Sequence, residues 1–237
     1  MATDAQAATQ FYASRQGRVT ARLVRDRLQL LWPSVANQAV LGLGFATPYL
    51  GLWSEEAARC VALTPAQLGA TRWPGGRGAN LSCTAEEDAL PFPDLSFDRI
   101  LLVHGLETSE NTRRLLREVW RVLRDCGLLL IVAPNRRGMW AHVENTPFGQ
   151  GQPYSNRQIE RLLAASLFRV EKRDTALYMP PADFTLILRS APVWERIGRR
   201  YAPHIAGVTI TEAVKDAYAA VPADAVARRR MVFVDAR

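Results

Sequence analysis

The chain has 237 residues, of which 48% are hydrophobic and 22% charged, and it carries a formal net charge of +7. A chain of this length buries enough surface to fold without disulfides or a structural metal, and its ordinary charged fraction excludes wholesale disorder. No apolar run reaches the roughly 18 residues that a membrane-spanning helix requires.

The first ten residues lack the basic start and apolar stretch of a secretory signal, so we expect a cytoplasmic protein. The cysteines Cys60, Cys83 and Cys126 are widely spaced and form neither a pair nor a His/Cys cluster of the kind that binds zinc. We therefore expect buried, reduced thiols and no bound metal.

The isoelectric point near 9.8 raises the question of nucleic acid binding. All but two of the 30 basic residues are arginines, and they are spread along the chain rather than gathered in one block. This distribution favours a solvated basic surface and makes nucleic acid an unlikely partner. The excess positive charge would still attract anionic substrates or partners.

Short apolar runs alternate with amphipathic stretches, which is typical of a parallel sheet with crossover helices. In chain order, the patterns predict a helix over residues 9–32, strands over 38–43, 59–63, 80–83 and 97–103, and a helix over 109–123 capped by Ser109. Thr47 followed by Pro48 fits the start of a further helix after the first strand.

In the second half of the chain, the patterns predict a strand over 128–132, a loop over 134–154 and a helix capped by Ser155. A strand over 168–175, a helical insert over 183–202 and a strand over 208–215 follow. The tail over 221–237 shows no clear period. These elements predict one domain over 1–237, with a cofactor-binding half at 38–134 and an acceptor half at 135–215.

Two glycines, Gly42 and Gly44, end the first predicted strand and precede a predicted helix. Glycine at such a turn lets the backbone approach a ligand closely, and the helix start offers free N–H groups. Alone this is a weak signal, because a tight turn without a ligand looks the same.

A stronger pattern follows in the middle of the chain. Glu86 leads to the runs Leu90-Pro91-Phe92 and Ser96-Phe97-Asp98, and a helix carrying Glu118 and Arg121-Val122-Leu123 ends before Gly127. This pattern resembles the class I S-adenosylmethionine-dependent methyltransferases, and within them the ubiquinone and menaquinone C-methyltransferases. The match is dense over 84–134, fair over 38–134, and weaker towards the C-terminus.

The resemblance implies an α/β fold with a Rossmann-like, seven-stranded, mostly parallel sheet and helices on both faces. S-adenosylmethionine would lie across the carboxyl ends of the first strands, where open α/β sheets bind ligands. The positions that match the cofactor-binding motifs are Gly42, Leu43, Gly44, Phe45, Ala62, Leu63, Glu86, Glu87 and Val103. His104 would face the reacting group and is the candidate general base.

The chain departs from the family pattern where the family has acids. Gly42 replaces the acid of the first strand, and Ala62 replaces the acid that holds both ribose hydroxyls. Without the second carboxylate, the ribose loses hydrogen bonds worth about 1.5–3 kcal/mol, which is about one to two decades of affinity. S-adenosylmethionine could therefore bind weakly, in a shifted pose, or not at all.

These observations favour a methyltransferase acting on a small or lipid-like acceptor, whose anionic end Arg136 and Arg137 could hold. The alternative is a methyltransferase fold that has lost catalysis and serves as a binding or regulatory module. An RNA methyltransferase and a nicotinamide dehydrogenase rank lower, since no RNA-binding motif is present and the third glycine of the dinucleotide motif is missing. No oligomeric state follows from the sequence.

The loop over 134–154 and the insert over 183–202 should lie at the same edge of the sheet as the glycine turn. We expect Trp140, Phe148, Tyr154 and the helix of Trp194 to border one acceptor pocket, with His104 on its floor. The competing interpretation is that these aromatic side chains pack a second small core.

Overall fold

The computed structural model describes residues 2–66, 73 and 81–216, with side chains from residue 6 onward within these ranges. The strands are β1 (Ala39–Gly44), β2 (Arg59–Pro65), β3 (Ser82–Ala85), β4 (Phe97–Val103), β5 (Leu123–Pro134), β6 (Phe168–Ala176) and β7 (Val208–Lys215). The helices are α1 (Ala2–Ala13), α2 (Arg15–Leu31), α3 (Thr47–Leu50), α4 (Thr112–Val122), α5 (Asn156–Ala165), α6 (Thr185–Arg189) and α7 (Ala191–Tyr201). The tail predicted over 221–237 lies outside the described residues.

The seven strands form one sheet in the order β3-β2-β1-β4-β5-β7-β6. The first five strands in this order are parallel, and β7 runs antiparallel to both of its neighbours. The predicted Rossmann-like, mostly parallel sheet is confirmed. Its central strands are buried on both faces, as their continuous apolar sequences indicate.

Each face of the sheet is covered by a helical layer with its own apolar core. On one face α2 contributes Leu23, Val24 and Leu28, which are buried together with β1 and β4 side chains. On the opposite face α4 contributes Leu116 and Val119. The spacing of these residues puts them on one side of each helix, and burying that side is what fixes the helices against the sheet.

The N-terminal segment is two helices rather than the single helix predicted over 9–32. Ser14 interrupts it, because the Ser14 hydroxyl accepts a hydrogen bond from the Gly17 backbone and caps α2. Gly17 lies so close to the end of α1 that a Cβ atom there would be 1.9 Å from the carbonyl oxygen of Phe11. This sharp turn lets α1 fold back over the sheet edge.

Two other helix predictions need correction. The helix predicted from Ser109 begins at Thr112 with Asn111 as its cap, because the Ser109 hydroxyl donates to Glu87 instead. The insert predicted as one helix over 183–202 is divided into α6 and α7 at Ser190. Ser155 caps α5 as predicted, within a reciprocal capping box.

None of the described helices is long and apolar enough to cross a membrane. Within the same residues no group of three or more His, Cys, Asp or Glu side chains could hold a metal ion. The three cysteines are free, but Cys126 is exposed near the start of β5. The expectation that all three thiols are buried is therefore wrong for Cys126.

Candidate active site

The sheet register brings most of the sequence-predicted site residues to one edge. Gly42 pairs with Ala62 on β2, while Gly44 pairs with Val103 at the end of β4. His104 follows Val103 directly and lies at the same edge. The carboxyl ends of β1, β2 and β4 thus meet where an open α/β sheet usually binds its ligand.

Gly44 is required by the backbone at this edge. It has a φ of +78°, and a Cβ atom there would be 2.2 Å from the carbonyl oxygen of Val103. The adjacent Phe45 N–H donates to that carbonyl. At Gly42 the space that an acidic side chain would occupy is filled by Leu50, whose Cδ1 would lie 2.6 Å from an added Cβ. An apolar side chain has replaced the family's acid.

Four polar side chains form a hydrogen-bonded chain at the end of β4. The Tyr12 hydroxyl lies 2.8 Å from Nε2 of His104 and 3.0 Å from the hydroxyl of Tyr49. Nδ1 of His104 lies 2.9 Å from Oε1 of Glu107. A carboxylate only accepts hydrogen bonds, so Nδ1 of His104 donates to an ionised Glu107, and in the neutral imidazole Nε2 then accepts from the Tyr12 hydroxyl.

This chain is largely shielded from water. His104 and Glu107 are buried, and Oε2 of Glu107 is a buried oxygen with no hydrogen-bond partner in the described part of the chain. His104 has a φ of +52°, which is uncommon for a residue other than glycine. Burial raises the pKa of Tyr12, with Tyr49 and Glu107 adding to the effect. Tyr12 is therefore a neutral phenol that can donate or pass on a proton.

Tyr12 also lines a cleft that has a volume of about 840 Å³. The floor of the cleft is the turn after β1, which contributes Phe45. The Phe45 ring stacks on the Tyr12 ring, with the two centroids 5.4 Å apart. The opposite wall is α2, where Arg18, Arg22 and Arg25 face the cleft at helical spacing. Trp73 and Asp26 also line the cleft, and Asp26 is the one acidic residue among the lining residues.

The two acids after β3 have different environments. Glu86 is exposed, whereas Glu87 is buried. Oε1 of Glu87 accepts from the Ser109 hydroxyl at 2.6 Å and from the Glu110 backbone at 3.2 Å. Glu87 therefore fixes the loop that leads into α4.

The predicted acceptor pocket is wrong, although its position at the sheet edge is right. Pro134 pairs with Val208, so both predicted loops do lie at the carboxyl end of β5. However, Trp140 and Phe148 are buried and pack edge to face 5.5 Å apart, with Phe148 4.8 Å from the His104 ring. These rings are part of the apolar core on the α2 face of the sheet, rather than the second small core of the competing interpretation.

The other members of that predicted pocket lie elsewhere. Tyr154 packs with the apolar cluster on the α4 face of the sheet, and Trp194 is exposed on α7. Arg136 and Arg137 are exposed on the turn after β5 and are not among the residues that line the cleft described above. Their proposed role towards an anionic acceptor remains a prediction.

In the sequence Tyr12 resembles an ordinary helix aromatic, and Tyr49, Glu107 and the arginines of α2 were not predicted as site residues. Glu107 could have been found from its position three residues after His104. The arginines recur every three or four residues in the sequence of α2, and this spacing predicts one helix face. The contact between α1 and His104 carries no local sequence signal.

Comparison with known proteins agrees with this geometry. A methyltransferase domain family model matches residues 41–131. An uncharacterised protein of Mycobacterium tuberculosis is 32% identical over 108 residues, which cover 43% of this chain and 38% of that protein. The ubiquinone/menaquinone biosynthesis C-methyltransferase of Hahella chejuensis is 43% identical over 58 residues, 24% of this chain and 23% of that enzyme. The matches thus span less than half of these curated relatives.

Solved structures share the fold over most of the chain. A SAM-dependent methyltransferase from Thermotoga maritima superimposes with a TM-score of 0.60 at 15% identity, covering 88% of this chain and 94% of that one. At this identity the likeness establishes the fold. Together with the family match, it implies S-adenosylmethionine as the cofactor.

The cleft beside Phe45 suits most chemical groups of that cofactor. The arginines of α2 can pair with the carboxylate of its methionine part, and the rings of Tyr12, Phe45 and Trp73 offer faces that attract a sulfonium cation. The ribose hydroxyls are less well served, because Ala62 is buried and supplies no acceptor. Of the nine positions predicted to bind the cofactor, only Phe45 lines this cleft, so the roles of the other eight remain predictions, while the charged and aromatic lining fits the methionine part of the cofactor.

Proposed function

We propose that the protein is an S-adenosylmethionine-dependent methyltransferase that methylates a small-molecule acceptor in the cleft beside Tyr12. A methyltransferase domain model matches residues 41–131, and the fold is shared with a SAM-dependent methyltransferase. The bound cofactor supplies an activated methyl group, so transfer depends mainly on orientation. The acceptor atom must lie near Tyr12, which is the member of the polar chain that lines the cleft.

The polar chain handles the proton that the acceptor loses. As an acceptor hydroxyl or amine is methylated, its proton passes to the Tyr12 oxygen while the Tyr12 proton moves to Nε2 of His104. The Nδ1–H bond to Glu107 stabilises the resulting imidazolium. Because the pKa of Tyr12 is raised by burial, the two transfers occur together, without a free phenolate.

The α2 arginines that do not pair with the cofactor's carboxylate favour an acceptor with an anionic end. Arg18 and Arg22 are exposed and Arg25 is half-buried, and no carboxylate in the described part of the chain forms an ion pair with any of the three. Like charges spaced by three or four residues on one helix repel each other, so an anion between them would relieve that repulsion. A phosphate or carboxylate group on a mostly apolar acceptor suits this wall and the aromatic rings opposite it.

The single observation that supports this proposal most is the hydrogen-bonded series Tyr12–His104–Glu107 at the edge where the fold binds its cofactor. Cofactor binding alone does not require a buried His–Glu pair that is hydrogen-bonded to Tyr12, the one member of the series that lines the cleft. The alternative, a binding or regulatory module, draws on the missing acids at Gly42 and Ala62.

Both functions can be tested in one experiment. The full chain is incubated with methyl-labelled S-adenosylmethionine and the small-molecule and lipid fractions of a cell extract. Label transferred to any component, and lost in Tyr12→Phe, supports the proposal. Binding of S-adenosylhomocysteine without transfer to any fraction would instead support a binding module.

A further inference from the structure

The helix α7 presents its apolar side to solvent. Val193, Trp194, Ile197 and Tyr201 are each between 41% and 74% exposed. With 3.6 residues per turn, these four positions fall within about a third of the helix circumference. They form one continuous stripe along α7 rather than scattered surface residues.

The opposite side of α7 is polar and is fixed to the body of the protein. Oε1 of the buried Glu195 accepts from the Tyr178 backbone at 2.7 Å, and Arg199 lies 3.4 Å from the other carboxylate oxygen. Gly198 is pressed against the Tyr178 ring, where a Cβ atom would be only 2.3 Å from the ring carbon Cδ1. The stripe cannot rotate inward without breaking these contacts, so α7 has the reverse polarity of an ordinary surface helix.

The apolar surface continues beyond α7. Phe184 and Leu186, just before and within α6, are 70% and 79% exposed. Together with the stripe they form what we call the α6–α7 face: Phe184, Leu186, Val193, Trp194, Ile197 and Tyr201. The stripe on α7 is a contiguous patch, and such a patch marks an interaction site, whereas single exposed apolar residues do not.

Arginines border the α6–α7 face. Arg196 and Arg200 lie along one side of the stripe, and Arg189 ends α6. Within the described residues no carboxylate forms an ion pair with these three, and the Arg200 guanidinium lies 5.8 Å from the Tyr201 ring. The surroundings of the face are therefore cationic, with Asp183 as a single exposed acid at its start.

We propose that the α6–α7 face docks the protein onto the surface of an anionic phospholipid bilayer. The apolar stripe would enter the headgroup region, where tryptophan and tyrosine side chains are favoured, and the arginines would contact lipid phosphates. Apolar and cationic residues on one exposed helix surface are the combination that binds such membranes. The docking does not depend on the proposed methyl transfer.

The charge distribution disfavours a second copy of the chain as the occupant. A two-fold interface would bring the same patch of both copies together, so two sets of Arg189, Arg196 and Arg200 would be gathered at one interface. The basic surface also extends to α2, because Arg15 and Arg18 border the same groove as Arg189. A broad basic surface around an apolar stripe matches a flat, extended anionic partner.

The test is sedimentation of the full chain with vesicles of phosphatidylcholine alone and of phosphatidylcholine with about one third phosphatidylglycerol. We expect binding to the anionic vesicles only, and weaker binding as salt rises, because salt screens exposed charges. R196Q/R200Q should weaken binding about fivefold for each arginine removed. W194S/I197S should weaken it at least about tenfold.

Matched control variants distinguish binding through the α6–α7 face from binding through charge or hydrophobicity elsewhere on the surface. R113Q/R117Q removes two exposed arginines at the same spacing on α4, and Leu30→Ser removes an exposed apolar side chain from α2. Both should bind vesicles like the unaltered chain. Because all substituted side chains are exposed, we expect the thermal unfolding midpoint of each variant to equal that of the unaltered chain. This measurement shows that each variant is folded.

Three results would overturn the proposal. The first is no binding to anionic vesicles at low salt. The second is binding that the controls weaken as much as W194S/I197S does. The third is a dimer by light scattering, without vesicle binding, that dissociates in W194S/I197S, which would assign the α6–α7 face to a second copy. Vesicle binding without any methyl transfer would leave the docking proposal intact and contradict only the proposed function.

Discussion

The hydroxyl of Tyr12, in the first helix, lies 2.8 Å from Nε2 of His104, which is 92 positions later at the end of β4. This hydrogen bond joins a side chain that lines the cleft to a buried His–Glu pair. It is the contact through which the fold could remove a proton from a bound acceptor.

Tyr12→Phe removes that hydroxyl and keeps the ring that stacks on Phe45. We expect turnover to fall about 10²- to 10⁴-fold, the range for loss of general acid–base catalysis, while affinity for S-adenosylhomocysteine changes by less than about twofold. Steady-state kinetics and calorimetry measure the two quantities. Tyr49→Phe is the matched control, because it removes the neighbouring hydroxyl without breaking the path to His104. Equal losses in both variants would contradict the relay.

The sequence was sufficient to predict the sheet and most of its strands. β4 and β7 have the predicted bounds, because β4 ends in an apolar run and β7 begins with alternating apolar and threonine residues, and both patterns are typical of strands. β3 was displaced by two residues, since a short, half-buried strand has little hydrophobic pattern to define its ends.

The candidate site was less predictable, because its contacts are non-local. The helix break at Ser14 depends on one capping hydroxyl that also fits a helix interior, and without the break α1 cannot reach His104. The predicted pocket failed at Trp140, whose indole N–H donates to the Met179 carbonyl. That contact draws the ring into the core, and nothing near Trp140 in the sequence indicates it.

The His104–Glu107 pair predicts a coupled effect on stability. His104→Asn tolerates the positive φ but leaves the buried Glu107 without its main partner, so we expect a loss of about 3 kcal/mol in the free energy of unfolding. Adding Glu107→Gln removes the unpaired charge, and the double variant should be at least about 1 kcal/mol more stable than the two single losses predict. Urea denaturation measures this; additive losses would show that the two side chains do not interact.

Two glycines at the same end of the domain should respond oppositely to alanine. Gly44→Ala should destabilise by about 2 kcal/mol or more, because of its positive φ and the close Val103 carbonyl. Gly51→Ala should be neutral or stabilise by up to about 1 kcal/mol, since its φ is −59° and no atom lies within 4 Å of the added Cβ. A comparable loss in both variants, measured by thermal unfolding, would argue against the turn geometry.

The cysteines should differ in reactivity. Burial raises the pKa of Cys60 to about 12, so at pH 8 roughly one Cys60 thiol in ten thousand is the reactive thiolate. Cys126 is exposed. We expect iodoacetamide at pH 8 to label Cys126 first, and Cys60 only in denaturant or as the pH approaches 12. Peptide mass spectrometry identifies the labelled site, and early labelling of Cys60 in the folded chain would contradict its burial.

The central claim is that the cleft between α2 and the turn after β1 binds the cofactor, and calorimetric titration with S-adenosylhomocysteine tests it most directly. Ala21→Trp places a bulky ring in the cleft, and Ala164→Trp makes the same change on the exposed side of α5. We predict saturable one-to-one binding to the unaltered chain and to Ala164→Trp, and none to Ala21→Trp. The absence of both heat and a thermal shift at millimolar ligand, or equal binding by both variants, would contradict it.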